Sequence, residues 1–196
     1  MYARTKYINT KSAWEIILRV LVNAIGIIDS GGVTVLEKLL QECVKSGECN
    51  MFIIMLTRSY QIESLVKKYQ EYDMLSFKMV KFNSYIYRLY YENSTFKRLV
   101  AVNGIDLVYN FTSTSQLFLS CPQLIKMHNL LYYSKELDNC YKKNSRFILW
   151  LRQVFLKRIV FKFMLNKSKY IEVQSKHVRD CLSDFISIKN KHIFIK

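Results

Sequence analysis

Short apolar runs alternate with helical patterns along almost the whole of this 196-residue chain. The apolar runs are bounded by turn residues, which is typical of buried strands. The segments between them place apolar side chains at helical spacing, and Gly104 follows one of them where a helix would end. This alternation predicts an α/β fold: a doubly wound, mostly parallel, Rossmann-like sheet with helices on both faces.

The predicted strands are, in chain order, 16–22, 51–56, 77–82, 106–110, 123–127, 169–173 and 193–195. The predicted helices are 33–43, 61–72, 85–102, 144–165 and 175–185. In doubly wound sheets, ligands bind outside the carboxyl ends of the strands, near the point where the strand order reverses. Three loops that follow predicted strands are therefore expected to converge on one crevice: 23–32, 110–115 and 128–134.

The loop after the first predicted strand carries a glycine pair, Gly31 and Gly32, just before a helical pattern that starts at Val33. The N–H groups at a helix start are unpaired and attract anions, and glycine lets an anion approach closely. The spacing is neither G-x-G-x-x-G nor a P-loop, which would need Lys at position 32. Two interpretations stay open: a ligand-binding turn, or a strand–helix turn that requires positive φ.

His128 directly follows the predicted strand 123–127 and precedes Asn129. A histidine at the carboxyl end of such a strand lies where ligands bind, and its imidazole can donate to a substrate oxygen or carry a proton near neutral pH. The alternative is a histidine whose hydrogen bonds are satisfied by backbone. Neither His177 nor His192 has metal-ligand spacing with it, and the five cysteines include no C-x-x-C, so no metal site is predicted.

The chain is strongly basic: 30 Lys and Arg against 15 Asp and Glu give a net charge of +15. Such an imbalance favours an anionic partner, whether nucleic acid, an acidic membrane surface or a phosphorylated ligand. The alternative is a general basic bias that only aids solubility. No signal peptide or membrane-spanning run is predicted, which makes the cytoplasm the default location.

Segment 144–169 interleaves aromatic and aliphatic residues with Lys and Arg. It is either a large core helix whose basic side chains reach out to solvent, or a helix that rests at an anionic membrane interface. We expect core packing first, with membrane contact added on the exposed side.

Taken in order, several segments resemble the N-terminal, acceptor-side half of a GT-B fold glycosyltransferase of the family 4, or group 1, type. These segments are IGIIDSGGVTVLEKLL after the first strand, RLYYE at 88–92, GIDLVYNF at 104–111, PQLIKMHN at 122–129, YIEVQSKHVRDCL at 170–182 and the final IKNKHIFIK. The resemblance covers residues 15–196, one Rossmann-like acceptor-binding domain, and leaves 1–14 as a polar N-terminal tail.

The resemblance implies a retaining glycosyltransferase of cell-surface polysaccharide biosynthesis that needs no metal and no cofactor, with a nucleotide-sugar as donor substrate. Family members hold a sugar or lipid-linked acceptor in this half. His128 would be the catalytic residue that reaches the transferred sugar, and Gly31, Gly32 and Asn129 would line the donor and acceptor cleft. The C-terminal donor domain, with its E-x-seven-E carboxylates, is absent, so we expect a truncated or split enzyme whose activity alone is negligible.

Two other functions stay open. The chain is alternatively a non-catalytic subunit of a separate donor-domain chain, or a basic domain that binds nucleic acid. The sequence shows no nucleic-acid-binding motif and no basic tail, so nucleic acid is not our expected partner. The expected location is cytoplasmic and peripheral to the inner face of the cell membrane.

Overall fold

The computed structural model describes residues 18–28, 30–46, 51–82, 84–127, 138–139 and 147–195. Their elements, in chain order, are β1 (Arg19–Ala24), α1 (Ser30–Lys45), β2 (Met51–Thr57), α2 (Tyr60–Tyr69), β3 (Leu75–Val80), α3 (Tyr85–Asn103), β4 (Leu107–Asn110), β5 (Gln123–Met127), α4 (Phe147–Trp150), a π-helical segment (Leu151–Phe155), α5 (Leu156–Lys167), β6 (Tyr170–Val173), α6 (Lys176–Phe185) and β7 (His192–Ile195). The run from α4 through α5, residues 147–167, is called the basic helix below.

The seven strands of the described residues form one sheet in the order β3-β2-β1-β4-β5-β6-β7, and every neighbouring pair is parallel. The chain first builds outward from β1 to β3, then returns to the other side of β1 and builds outward to β7. The strand order therefore reverses between β1 and β4, which is the topological switch point. The predicted doubly wound, Rossmann-like α/β fold is confirmed.

Helices pack on both faces of the sheet, because successive strand residues point to opposite sides. On one face, Val22 and Ile54 pack with Leu36 and Leu40 of α1 and with residues of α2. On the other face, Leu21 and Met55 pack with Phe96 and Val100 of α3. A third cluster joins β5 and β6 to the basic helix and α6 through Ile125, Leu165, Ile171 and Leu182.

Serine caps set the starts of three helices. The hydroxyl oxygens of Ser59, Ser84 and Ser175 each accept a hydrogen bond from the backbone N–H three residues later. Gly104 ends α3 in the left-handed conformation, at φ 61°, as its position in the sequence predicted.

The structure differs from the sequence prediction at the first strand and helix. The strand is Arg19–Ala24 rather than 16–22, and α1 begins at Ser30 rather than at Val33. Gly31 and Gly32 thus lie inside the first turn of α1. Among the described glycines, positive φ occurs at Gly26 and Gly104 instead, so the idea that the glycine pair needs positive φ is wrong.

The basic helix is longer at its carboxyl end than predicted and is interrupted by one π-helical segment. Residues 144–146 of the predicted helix lie outside the described residues. Within the described ranges, no helix is long and apolar enough to cross a membrane.

Candidate functional site

The loops that follow β1 and β4 lie side by side at the switch point. Asn23 on β1 and Asn110 on β4 are partners in register, and Asn23 Nδ2 donates to Asn110 Oδ1 at 3.2 Å. Both side chains are buried. Two of the three loops predicted to converge, 23–32 and 110–115, are therefore neighbours, whereas 128–134 lies outside the described residues.

Arg88, in the first turn of α3, joins these two loops. Its Nε donates to Glu92 Oε1 at 2.5 Å and its Nη2 donates to Thr112 Oγ1 at 3.1 Å. Its Nη1 lies against Gly26, where an added β-carbon would be 2.2 Å away. Gly26 has φ 98° and donates its N–H to Thr57 Oγ1 at 2.8 Å. Any other residue at position 26 would be strained at this φ and would displace the Arg88 guanidinium.

Glu92 is the centre of this network and is 1 % exposed. Besides Arg88, its carboxylate accepts from Asn23 Nδ2 at 2.9 Å and from Gln116 Nε2 at 3.2 Å, both at Oε2. A buried carboxylate needs such compensation by a guanidinium and by amide donors. Because these donors enclose it, Glu92 positions its neighbours and does not meet a substrate.

The segment after β4 turns back along the same network. Asn110 Nδ2 donates to Gln123 Oε1 at 3.1 Å, and Gln116 exchanges backbone bonds with the Gln123 amide. Ser113 holds φ 60°, an uncommon value for a residue other than glycine, and its hydroxyl donates to the Lys126 carbonyl at 3.0 Å. Within the described residues, the buried Gln116 Oε1 has no hydrogen-bond partner, so it is available to a water or a ligand donor.

A second buried polar cluster lies on the opposite face of the sheet. Lys126 Nζ donates to Glu172 Oε1 at 2.5 Å, and the Tyr109 hydroxyl donates to Glu172 Oε2 at 2.7 Å. Burial, reinforced by the bond to Glu172, raises the pKa of Tyr109 well above its usual range. The cluster ties β4, β5 and β6 together, and β5 is the strand that leads to His128.

Of the residues predicted for the site, the structure describes the two glycines but not His128 and Asn129. Gly31 is at the exposed start of α1, and a β-carbon there would meet no atom within 4 Å, which leaves room for a ligand. Gly32 follows it in the same turn. His128 and Asn129 lie outside the described residues, so their roles stay predictions. Across the described ranges, no group of three His, Cys, Asp or Glu side chains could hold a metal ion.

Arg88 and Glu92 lie in the segment RLYYE, which is part of the family resemblance, but the resemblance gives them no role. Their R-x-x-x-E spacing does predict a contact on one helix face. Asn23 and Asn110 also place polar side chains at the carboxyl ends of two strands that are covered on both faces and otherwise mostly apolar. Only the three-dimensional structure brings these four residues together.

Comparison with known proteins adds a likeness of fold. No family model matches the chain, and no curated protein matches it. Among solved structures, a glycosyltransferase from Rickettsia africae ESF-5 is similar over 92 % of this chain, with a TM-score of 0.55 and 11 % sequence identity. The chain spans 43 % of the length of that protein. The fold is therefore a Rossmann-like α/β domain of the kind found within a solved glycosyltransferase.

Proposed function

We propose that the chain is the acceptor side of a glycosyltransferase. It would hold a sugar or lipid-linked acceptor while a donor domain presents a nucleotide-sugar. The observation that carries this proposal is the pair of loops after β1 and β4, held together by Arg88 at the switch point of a parallel sheet. Ligands of doubly wound domains bind at that edge, and the fold likeness adds support.

Under this proposal, Gly31 and Gly32 contact the diphosphate of the nucleotide-sugar donor. Gly31 and Gly32 lie in the first turn of α1, where the positive end of the helix dipole favours a diphosphate. Gly26 and Arg88 belong to the same loop system, but Arg88 is already paired with Glu92. Arg88 is therefore a positioning residue that keeps the loop before α1 in place.

The reaction would form a bond between an acceptor hydroxyl oxygen and the anomeric carbon of the donor sugar. The bond from that carbon to the diphosphate oxygen breaks, and the hydroxyl proton leaves with the diphosphate or to solvent. His128 would donate a hydrogen bond to the transferred sugar, and Asn129 would shape the same loop. Retention of configuration and independence from metals are part of the proposal.

The proposed partners are a nucleotide-sugar, a sugar or lipid-linked acceptor of cell-surface polysaccharide synthesis, a donor domain on a second chain, and an anionic membrane surface. Under this proposal the chain works at the inner face of the cell membrane. As a non-catalytic partner, it would make the same contacts and leave all chemistry to the second chain.

A transfer assay tests the proposal. The purified 196-residue chain is incubated with radiolabelled nucleotide-sugars and membrane acceptors, alone and with a donor-domain chain that carries E-x-seven-E. We expect negligible transfer alone, transfer on mixing, and loss of transfer with His128→Ala. Transfer by the chain alone would contradict the need for a second domain. Transfer on mixing that survives His128→Ala would favour the non-catalytic alternative.

A further inference from the structure

We propose that the outward face of the basic helix docks on a bilayer that contains anionic phospholipid, with a lysine-lined pocket at the end of the helix receiving a head-group phosphate. This inference deepens the proposed function, since a lipid-linked acceptor would lie in that bilayer. Its test measures vesicle binding and not sugar transfer, so the two proposals can fail separately.

The inner side of the basic helix is fixed by core contacts. Val154, Phe161, Met164 and Leu165 are buried there, the last of these against β5 and β6. Asp138 anchors the same helix from outside the sheet, accepting hydrogen bonds from Trp150 Nε1 at 2.7 Å and from both terminal nitrogens of Arg158. The helix therefore cannot rotate to bury its opposite side.

That opposite side is apolar although it faces solvent. Phe155, Ile159 and Phe163 follow one another at four-residue spacing, with Leu156 and Val160 beside them, and all five are exposed. Ile159 and Phe163 are each 51 % exposed. A surface helix normally carries polar side chains on this side, so the stripe indicates a surface that becomes covered.

The charge around the stripe selects an anionic surface. Residues 147–169 contain six Lys and Arg and neither Asp nor Glu, although the charge of one of the six, Arg158, is balanced by Asp138. Lys162 directly precedes Phe163, and Lys167 lies one turn beyond it. An apolar stripe flanked by lysines is the pattern of helices that lie in the plane of a membrane interface. A second copy of this chain would bring the same positive charge against it, which disfavours a symmetric dimer through this face.

A pocket of about 500 Å³ continues the stripe at the carboxyl end of the helix. It is lined by Lys167, Lys169 and Lys191 together with Ser187 and Asn190, and none of its lining residues within the described ranges is acidic. Lys191 is engaged with three backbone carbonyls, which leaves Lys167 and Lys169 to meet a phosphate. The Lys167 ammonium is 5.8 Å from the Phe163 ring centroid, so stripe and pocket form one continuous surface.

The direction of the basic helix brings this surface toward the proposed acceptor crevice. The basic helix ends at Lys167, immediately before β6 begins at the amino edge of the sheet, so its start lies toward the carboxyl edge. Its 21 residues would extend over about 30 Å. A bilayer against the whole stripe would therefore reach toward the edge that holds the proposed acceptor crevice.

Vesicle sedimentation of the full chain tests the proposal. We expect binding to phosphatidylcholine vesicles that contain phosphatidylglycerol, weakening as salt is raised, and at least tenfold weaker binding to phosphatidylcholine alone. Ile159→Ser/Phe163→Ser should lower binding about tenfold or more, because the apolar contact is lost. Lys167→Gln/Lys169→Gln should lower it by about tenfold on the anionic vesicles alone.

Matched variants control for general effects on charge and hydrophobicity. Lys38→Gln/Lys67→Gln removes two exposed lysines from α1 and α2, and Tyr90→Ser/Val102→Ser removes two exposed apolar side chains from α3. Both should bind as the unsubstituted chain does. The proposal would be overturned if the control variants lost as much binding, or if the chain bound both vesicle types equally. It would also be overturned if the chain bound no vesicles and instead formed a dimer that Ile159→Ser/Phe163→Ser dissociates.

Discussion

The guanidinium of Arg88 lies so close to Gly26 that a β-carbon at position 26 would be 2.2 Å from Nη1. Gly26→Ala would also force an L side chain into φ 98°. We expect this substitution to lower the free energy of unfolding by about 1–3 kcal/mol. Urea unfolding followed by circular dichroism measures the loss, and an unchanged midpoint would show that Arg88 does not constrain this loop.

Gly31→Ala is the matched change in the first turn of α1. Its β-carbon meets no atom within 4 Å and its φ is ordinary, so alanine should stabilise the helix by up to about 1 kcal/mol. If the glycine pair receives a diphosphate, the same variant should bind a nucleotide-sugar more weakly in the two-chain enzyme. Higher stability with unchanged nucleotide-sugar affinity would remove Gly31 from the site.

Glu92→Ala should be among the most damaging single changes in the chain. It leaves the Arg88 guanidinium and the amides of Asn23 and Gln116 without their shared acceptor. Breaking a buried pair of this kind costs about 3–5 kcal/mol. The control is Glu63→Ala, whose exposed pair with Arg58 spans 3.6 Å and should be worth less than about 1 kcal/mol. Similar losses in both variants would contradict a central role for Glu92.

We expect the folded chain to lose stability at alkaline pH because of Tyr109. Burial and the bond to Glu172 raise the pKa of Tyr109 in the folded state, whereas an unfolded tyrosine ionises near about pH 10. The unfolded state then releases its proton first, so stability falls as pH rises above about 10. Tyr109→Phe should show a shallower alkaline decline in thermal midpoint. An identical decline in the two proteins would count against the raised pKa.

Lys191 closes the carboxyl end of the basic helix. Its ammonium donates to the carbonyl oxygens of Leu165, Asn166 and Ser168 at 2.7, 3.1 and 2.8 Å. Lys191→Met removes these bonds and should cost about 1.5–3 kcal/mol. Lys189→Met, an exposed neighbour, is the control and should be almost neutral. Equal urea midpoints for the two variants would contradict the capping role.

Much of the fold follows from local pattern. The sequence predicts the strand Gln123–Met127, the end of a helix at Gly104 and the start of another at Ser175. These features are predictable because hydrophobic periodicity and helix capping depend on residues that are close in sequence. The start of α1 was misplaced because glycines are poor helix formers, and a propensity argument puts them outside the first turn. In the structure, Gly31 and Gly32 nevertheless adopt the helical conformation of the first turn of α1, despite the low helix propensity of glycine.

The candidate site was harder to predict, because its contacts join residues far apart in sequence. The bonds from Asn23 to Glu92 and to Asn110 span 69 and 87 positions. No spacing rule selects those partners without the order of strands in the sheet. The π-helical segment at Leu151–Phe155 likewise has no local sequence signal, since the apolar pattern on both sides is helical.

We propose above all that the carboxyl edge of the sheet at β1 and β4 binds a sugar acceptor. The most direct measurement is a ¹⁵N–¹H NMR titration of the isolated chain with mono- and disaccharides and polyprenyl-diphosphate sugars. We expect a sugar ligand to shift the amide signals of Gly26, Arg88 and Thr112, and we expect these shifts to be lost in the folded fraction of Arg88→Lys. Sugar-induced shifts confined to the amino edge of the sheet, or none with any acceptor, would contradict it.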